Sequence, residues 1–226
     1  MIVQIYSLTS VETAVAVAEL GADQIGFVAG RYGIVHNELD FSQARAIVDA
    51  LPSGVIPVAL TMSTDVDEIL KMAAAVQPGI VHISTDPFDV DAAAMTTLRR
   101  RLPQHIRLMK AIPVGQAAET LALIRRFEPM SDLFLLDTQM AGFPGVGATG
   151  HTHDWNVSRQ VIQITRRPVI LAGGLVPENV AQAIEKVRPW GVDSCTGTNS
   201  PGANQKDLAR VQAFIEAARR AERELA

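Results

Sequence analysis

Residues 169–202 read VILAGGLVPENVAQAIEKVRPWGVDSCTGTNSPG, and the fold turns on this stretch. An apolar run, Val169-Ile170-Leu171-Ala172, stops at Gly173-Gly174. A helical segment then opens at Pro177-Glu178-Asn179, and a second short strand over 192–195 stops at Thr196-Gly197-Thr198. Two strand ends, each followed by small residues, make a phosphate cradle. Glycine has no Cβ, so backbone N–H groups can approach an anion closely, and a helix N-terminus adds about half a positive charge. In an eight-fold (β/α) barrel, the loops after the seventh and eighth strands, with a short extra helix, are the usual phosphate site. The plainer alternative, that Gly173-Gly174 is only a turn, leaves the second small-residue loop unexplained, although it falls near the C-terminus where an eighth strand belongs.

Working outward, short β-rich runs alternate with amphipathic helical ones along the whole chain. Strands are predicted over 2–6, 23–28, 55–61, 79–84, 106–112, 132–137, 168–172 and 191–195. Helices are predicted over 10–20, 41–51, 65–76, 89–101, 116–127, 156–165, 177–187 and 204–223, with Ser10, Asp65 and Asp89 as N-cap signals. Eight β-then-α units predict parallel strands, buried on both faces and closed into a single (β/α)8 TIM barrel spanning 1–226. An open doubly wound sheet is the competing architecture, but the turn after the first strand, Tyr6-Ser7-Leu8-Thr9, lacks the glycines of a dinucleotide loop.

Composition narrows the function classes. The 226 residues are 48% hydrophobic and 19% charged, which suits one well-packed α/β domain. The net charge of −4 comes with no Lys/Arg stripe interleaved with aromatics, so nucleic acid is not an expected partner. No apolar run approaches a membrane span, and the N-terminus enters a strand pattern without a basic leader, so a cytoplasmic protein with no membrane partner is expected. The single cysteine, Cys195, excludes an intrachain disulfide and a cysteine-based zinc cluster. Arg99-Arg100-Arg101 closes a predicted helix, where positive charge complements the helix dipole.

In such a barrel the chemistry sits at the carboxyl ends of the strands. Those positions are Tyr6-Ser7, Gly30-Arg31-Tyr32, Leu60-Thr61, His82-Ile83-Ser84, Lys110 and Asp137. The glycine-rich segment 138–154 after the sixth strand is the longest predicted loop and suits a mobile lid.

Several of these segments together carry a family resemblance. They are Gly21-Ala22-Asp23 with Ile25-Gly26-Phe27-Val28, Arg31-Tyr32, Lys110-Ala111-Ile112, Leu135-Leu136-Asp137, and Gly147-Ala148-Thr149-Gly150 with Asp154-Trp155. Leu171-Ala172-Gly173-Gly174-Leu175, Pro177-Glu178-Asn179-Val180, Gly191-Val192-Asp193, Ser200-Pro201-Gly202 and Lys206-Asp207 complete the set. In this order they resemble the phosphoribosylanthranilate isomerase family of tryptophan biosynthesis. The resemblance implies a phosphosugar substrate, no cofactor, no metal, a monomer or homodimer, and an Amadori-type ring-opening isomerisation. That reaction needs a general acid on the ribose ring oxygen and a general base at C2. Asp137 stands where the family keeps its acid, and an apolar wall including Leu135, Leu136 and Met140 would raise its pKa. Arg31 matches the arginine that faces the anthranilate carboxylate. A loop-capping role for Asp137 and a surface position for Arg31 are the simpler alternatives.

The first strand departs from the family. A Lys-Ile-Cys-Gly type segment carries the base there; here the residues are Gln4-Ile5-Tyr6-Ser7. Tyr6 takes the place of the base, and a phenol with pKa near 10 is a poor base at neutral pH unless a cation lowers it. Val81-His82-Ile83-Ser84-Thr85 and residues 194–199 also differ from the family pattern. Three ways round the missing thiol are open. Cys195, next to Tyr6 by barrel closure, is a relocated base if the phosphate-loop helix terminus lowers its pKa. His151-Thr152-His153-Asp154 is a metal site if joined by Asp137 or His82, giving an epimerase, lyase or hydrolase. The third is a phosphoribosyl binder without turnover. The expected site is therefore Asp137, Tyr6 and Cys195 for catalysis, with Arg31, Gly173, Gly174, Thr196 and Gly197 for binding.

Overall fold

The computed structural model of the chain describes residues 1–139, 145–147 and 151–225. Eight parallel strands, β1 (Ile2–Ile5), β2 (Gln24–Ala29), β3 (Ile56–Thr61), β4 (Ile80–Ile83), β5 (Arg107–Pro113), β6 (Leu133–Asp137), β7 (Val169–Leu171) and β8 (Gly191–Ser194), pair in sequence order. β1 pairs with both β2 and β8, so the sheet closes and leaves no open edge in the barrel. Eight helices surround it: α1 (Val11–Glu19), α2 (Phe41–Ala50), α3 (Val66–Val76), α4 (Ala92–Arg101), α5 (Ala117–Phe127), α6 (Trp155–Ile164), α7 (Val180–Val187) and α8 (Leu208–Glu224). No helix among the described residues is long and apolar enough to cross a membrane.

Period-two alternation sorts each strand's side chains into two cores. Tyr6, Val58, Ile80, Met109, Leu133, Leu135, Ile170 and Ala172 pack together inside the barrel. Their neighbours in the chain, among them Ile5, Val81, Leu108, Phe134, Leu136 and Leu171, join the larger cluster with the helices. Each fully buried aliphatic side chain contributes about 1.5–3 kcal/mol relative to exposure. The two shells therefore hold the strand ends as a rigid rim.

Caps fix where the helices begin. Ser10 accepts from Thr13 N, Asp65 from Asp67 N, and Asp40 forms a reciprocal capping box with Gln43. Three starts differ from expectation. α4 is capped by Asp91, not Asp89, and begins at Ala92. α7 begins at Val180 because Pro177, Glu178 and Asn179 form a turn, and α8 begins at Leu208 behind the Asp207 cap. A two-residue strand, Glu38–Leu39, pairs with the end of β2 and has no counterpart in the sequence reading. It folds back a loop whose four amides, from Tyr32, Gly33, Ile34 and Val35, all donate to the Glu38 carboxylate at 2.6–3.1 Å. In the last turn of α4, Arg99 pairs with Asp132 and Arg101 with Asp67.

Candidate active site

The carboxyl-end rim encloses a cavity of about 130 Å³. Its apolar lining includes Val28, Val35, Leu60, Met62, Leu135 and Val146, and its polar lining includes His82, Asp137, Asp193 and Cys195 with Tyr6 and Ser7. Asp137 is the last residue of β6 and faces inward by the same alternation as Leu133 and Leu135. It is wedged between two glycines. A Cβ on Gly147 would lie 2.5 Å from its Oδ2, and one on Gly173 would lie 3.2 Å from Oδ1. The Thr138 amide donates to Oδ1 at 2.7 Å. Burial pushes the Asp137 carboxyl up to about 7, and the charge of Asp193 adds to the rise while the Thr138 bond opposes it. Met140, expected in its apolar wall, lies outside the described residues, as do Ala148, Thr149 and Gly150 of the quoted motif.

The two small-residue loops abut. The Asn179 side chain closes the first, accepting from Val176 N at 2.9 Å and donating to Gly174 O at 3.0 Å. Ser194 Oγ donates to Leu175 O at 2.9 Å and ties that loop to β8. Gly173 and Gly174 sit at φ +82° and +60°, backbone that disfavours any side chain. At Gly197 the reason is space: a Cβ would meet Leu175 O at 2.1 Å. Residues Thr196–Thr198 form a single 3₁₀ turn, whose first amides have no intrahelical acceptor. Lys206 braces this turn, its Nζ donating to Cys195 O and Asn199 Oδ1, both at 2.7 Å.

Tyr6 is 5% exposed, and its ring lies flat on β2, where a Cβ at Gly26 would come within 2.7 Å of it. Its hydroxyl pairs with His82 Nδ1 at 2.8 Å. Burial pushes the phenol well above its usual 10, and Asp193 and Cys195 reinforce the shift. Burial also takes His82 down to about 3, with the Lys110 charge adding to it. The imidazole is therefore neutral, and its tautomer sets which partner donates in this bond. Burial likewise pushes Cys195 up to about 11. Neither side chain is an ionised base at neutral pH, so the expectation that Tyr6 or Cys195 supplies one is at odds with its surroundings.

Arg31 and Lys110 both stand outside the cavity lining. Arg31 is mostly exposed and outside the cavity lining; its Nη2 donates to Gln43 Oε1 at 2.8 Å and lies 3.7 Å from Asp40. The cavity mouth beside it is built by Val35, His36 and Asn37, and Asn37 bridges Ser7 Oγ and Asn204 O. Lys110 leaves the barrel interior to Met109 and points between β5 and α5, its Nζ donating to Thr85 O at 3.0 Å and lying 5.6 Å from the Phe127 ring. His153 pairs with Ser158 Oγ at 2.8 Å, and His82 is held by Tyr6. Among the described residues no three His, Cys, Asp or Glu side chains group as a metal ligand set.

A family model described as N-(5'phosphoribosyl)anthranilate (PRA) isomerase matches residues 3–217. The chain belongs to the PRA isomerase family. Among PRA isomerases, the protein of Methanocella arvoryzae is 38% identical over 218 residues, covering 96% of this chain and 97% of its own. Isomerase 2 of Methanosarcina mazei is 36% identical over 222 residues, 97% of this chain and 94% of its own. The crystal structure of the Thermotoga maritima PRA isomerase superposes with a TM-score of 0.80 at 28% identity, covering 97% and 99% of the two chains. Another PRA isomerase structure, in complex with reduced 1-(o-carboxyphenylamino)-1-deoxyribulose 5-phosphate, gives 0.76 at 27% identity with the same coverage.

The sequence reading missed Asp193, His36, Asn37 and Asn204 in the cavity lining. For Asp193 a signal was present: it alternates with Val192 and Ser194 on the inward face of β8, two residues before Cys195. The loop residues carry no period that would have marked them.

Proposed function

We propose that the chain carries out its family's reaction, opening the ribose ring of an N-(5-phosphoribosyl) arylamine and isomerising it to a 1-amino-1-deoxyketose phosphate. The observation that carries this is Asp137, a buried carboxyl held near pKa 7 at the end of β6, directly against the loop of Gly173. A group half-protonated at neutral pH is suited to protonate the furanose oxygen, so that the C1–O bond breaks and the nitrogen lone pair forms the C1=N iminium. The phosphate would rest on the amides of Gly173, Gly174, Thr196 and Gly197, and the apolar side chains of the cavity would take the aryl ring. Arg31 would need to swing inward to meet an aryl carboxylate. The protein would act as a single domain over 1–226, in the cytoplasm, as a monomer or homodimer, with a small phosphosugar as its partner and without cofactor or metal.

One observation favours a second reading: the Tyr6 ring fills space at the end of β1, which would make this a binder without turnover. A turnover assay with N-(5-phosphoribosyl)anthranilate, run with and without a chelator, separates the two. Product formation unchanged by the chelator, with a bell-shaped pH profile centred near neutrality, is the expected result. Tight binding with no product over hours would replace the isomerase reading with the second.

A further inference from the structure

Gln4 projects into the barrel from β1, fully buried, and its Nε2 donates to Asp193 Oδ1 at 2.9 Å. In the family's first-strand segment this position holds the lysine, and the position two residues on holds the cysteine base. Here both have changed together. An ammonium against a buried carboxylate keeps it ionised and weakly basic; a carboxamide holds the same oxygen without supplying a charge. Asp193 lines the same cavity as Asp137, from β8 rather than β6. Around it stand Tyr6, Cys195, Asp137 and, from the segment before α8, Lys206. Of these the phenol and thiol are the alternative bases, and burial keeps both neutral.

We propose that Asp193 is the general base of this chain, positioned by Gln4, in place of the thiol its family carries on β1. The assignment rests on the isomerase reading above. After ring opening, the Asp193 carboxylate takes the proton from C2; the C2–H electron pair becomes the C1=C2 bond, and the iminium π pair returns to nitrogen. Ketonisation then places the Asp193 proton on C1 while the O2 proton passes to Asp137, restoring both carboxyls. Burial pushes Asp193 up to about 7, against the bond from Gln4 and the charge of Lys206. Two interacting carboxyls near neutrality share their titration, so one ionised and one protonated form coexist.

The test uses the full chain with Asp193→Asn and, separately, Gln4→Lys. The readouts are kcat and KM for N-(5-phosphoribosyl)anthranilate, the isotope effect with substrate deuterated at C2, and affinity for the reduced deoxyribulose phosphate analogue. Asp193→Asn is expected to lower kcat by about 10²–10⁴-fold, the usual worth of a positioned base, with analogue affinity nearly unchanged. Gln4→Lys is expected to move the acid limb of the kcat profile to lower pH and to reduce the plateau. If Asp193→Asn keeps its turnover and isotope effect, the base is elsewhere. Should that variant fail to bind the analogue, Gln4→Lys decides, and an unmoved acid limb overturns the assignment. Wild-type protein that binds the analogue but never turns over overturns the isomerase reading, and the base assignment falls with it.

Discussion

Asp137→Asn is expected to lower turnover of N-(5-phosphoribosyl)anthranilate by about 10²–10⁴-fold, the range for loss of a positioned general acid. Asparagine has the same shape, so the bond from the Thr138 amide and the packing against Gly147 and Gly173 survive. It has no proton to give the ring oxygen. The loss should therefore fall on kcat, with affinity for the reduced analogue within about threefold, as expected for an interaction made only in the transition state. Calorimetric titration with the analogue, beside steady-state kinetics, checks both halves. Unchanged kcat would remove Asp137 from the chemistry, and lost affinity would show that it binds substrate instead of protonating it.

The second large effect is on stability. Truncating Tyr6 to alanine is expected to cost about 3–5 kcal/mol, as large buried aromatics do, because the ring packs on Gly26 and on the interior cluster around Val58 and Leu135. Tyr6→Phe keeps that packing but leaves His82 Nδ1 without its hydrogen-bond partner, and His82 Nε2 has no partner among the described residues. A buried polar atom left unpaired costs about 1–3 kcal/mol. At about 2–4 °C per kcal/mol for a chain of this size, the two variants should melt in the order wild type, Tyr6→Phe, Tyr6→Ala. Turnover by Tyr6→Phe should stay within about tenfold, since general-base loss removes about 10² or more. A Tyr6→Phe protein as stable as wild type, or one without activity, would mean the hydroxyl has a different role.

The barrel was legible because its evidence is repeated: eight apolar runs, eight amphipathic segments and two glycine-bearing strand ends each point to the same architecture. Asp137 was legible in position as the residue that ends the sixth strand, while its role as acid came only from the resemblance. Local competition hid the rest. Asp89 and Asp91 are equally good caps by residue type, and the chain path after β4 selects Asp91. Lys110 sits one residue out of phase with the interior face, which only the register of β5 against β6 reveals. Arg31 belongs to a loop shaped by the Glu38 carboxylate, a local fold-back over three to six residues with no sequence period. Cys195 and Tyr6 were read by residue type, whereas their protonation is set by burial, which a sequence does not display.

The paired buried carboxyls also make the site a thermodynamic liability. Asp137 and Asp193 hold pKa values of about 7 in the folded chain, against an ordinary 3.8. A raised folded pKa gives stability that is complete below the unfolded value and is lost as pH climbs through the folded one. Each carboxylate thus works against folding at the pH where the chemistry needs it. The advantage in melting temperature of Asp137→Asn over wild type should be absent near pH 4, grow as pH rises toward 7, and level off above it. Taking the difference cancels the opposing titrations of His82, His153 and Lys110, whose burial depresses them. A constant difference across that window would show that the carboxyl titrates alike in the folded and unfolded chains. Evolution toward greater robustness would then be expected to erode these two positions first, were catalysis not holding them in place.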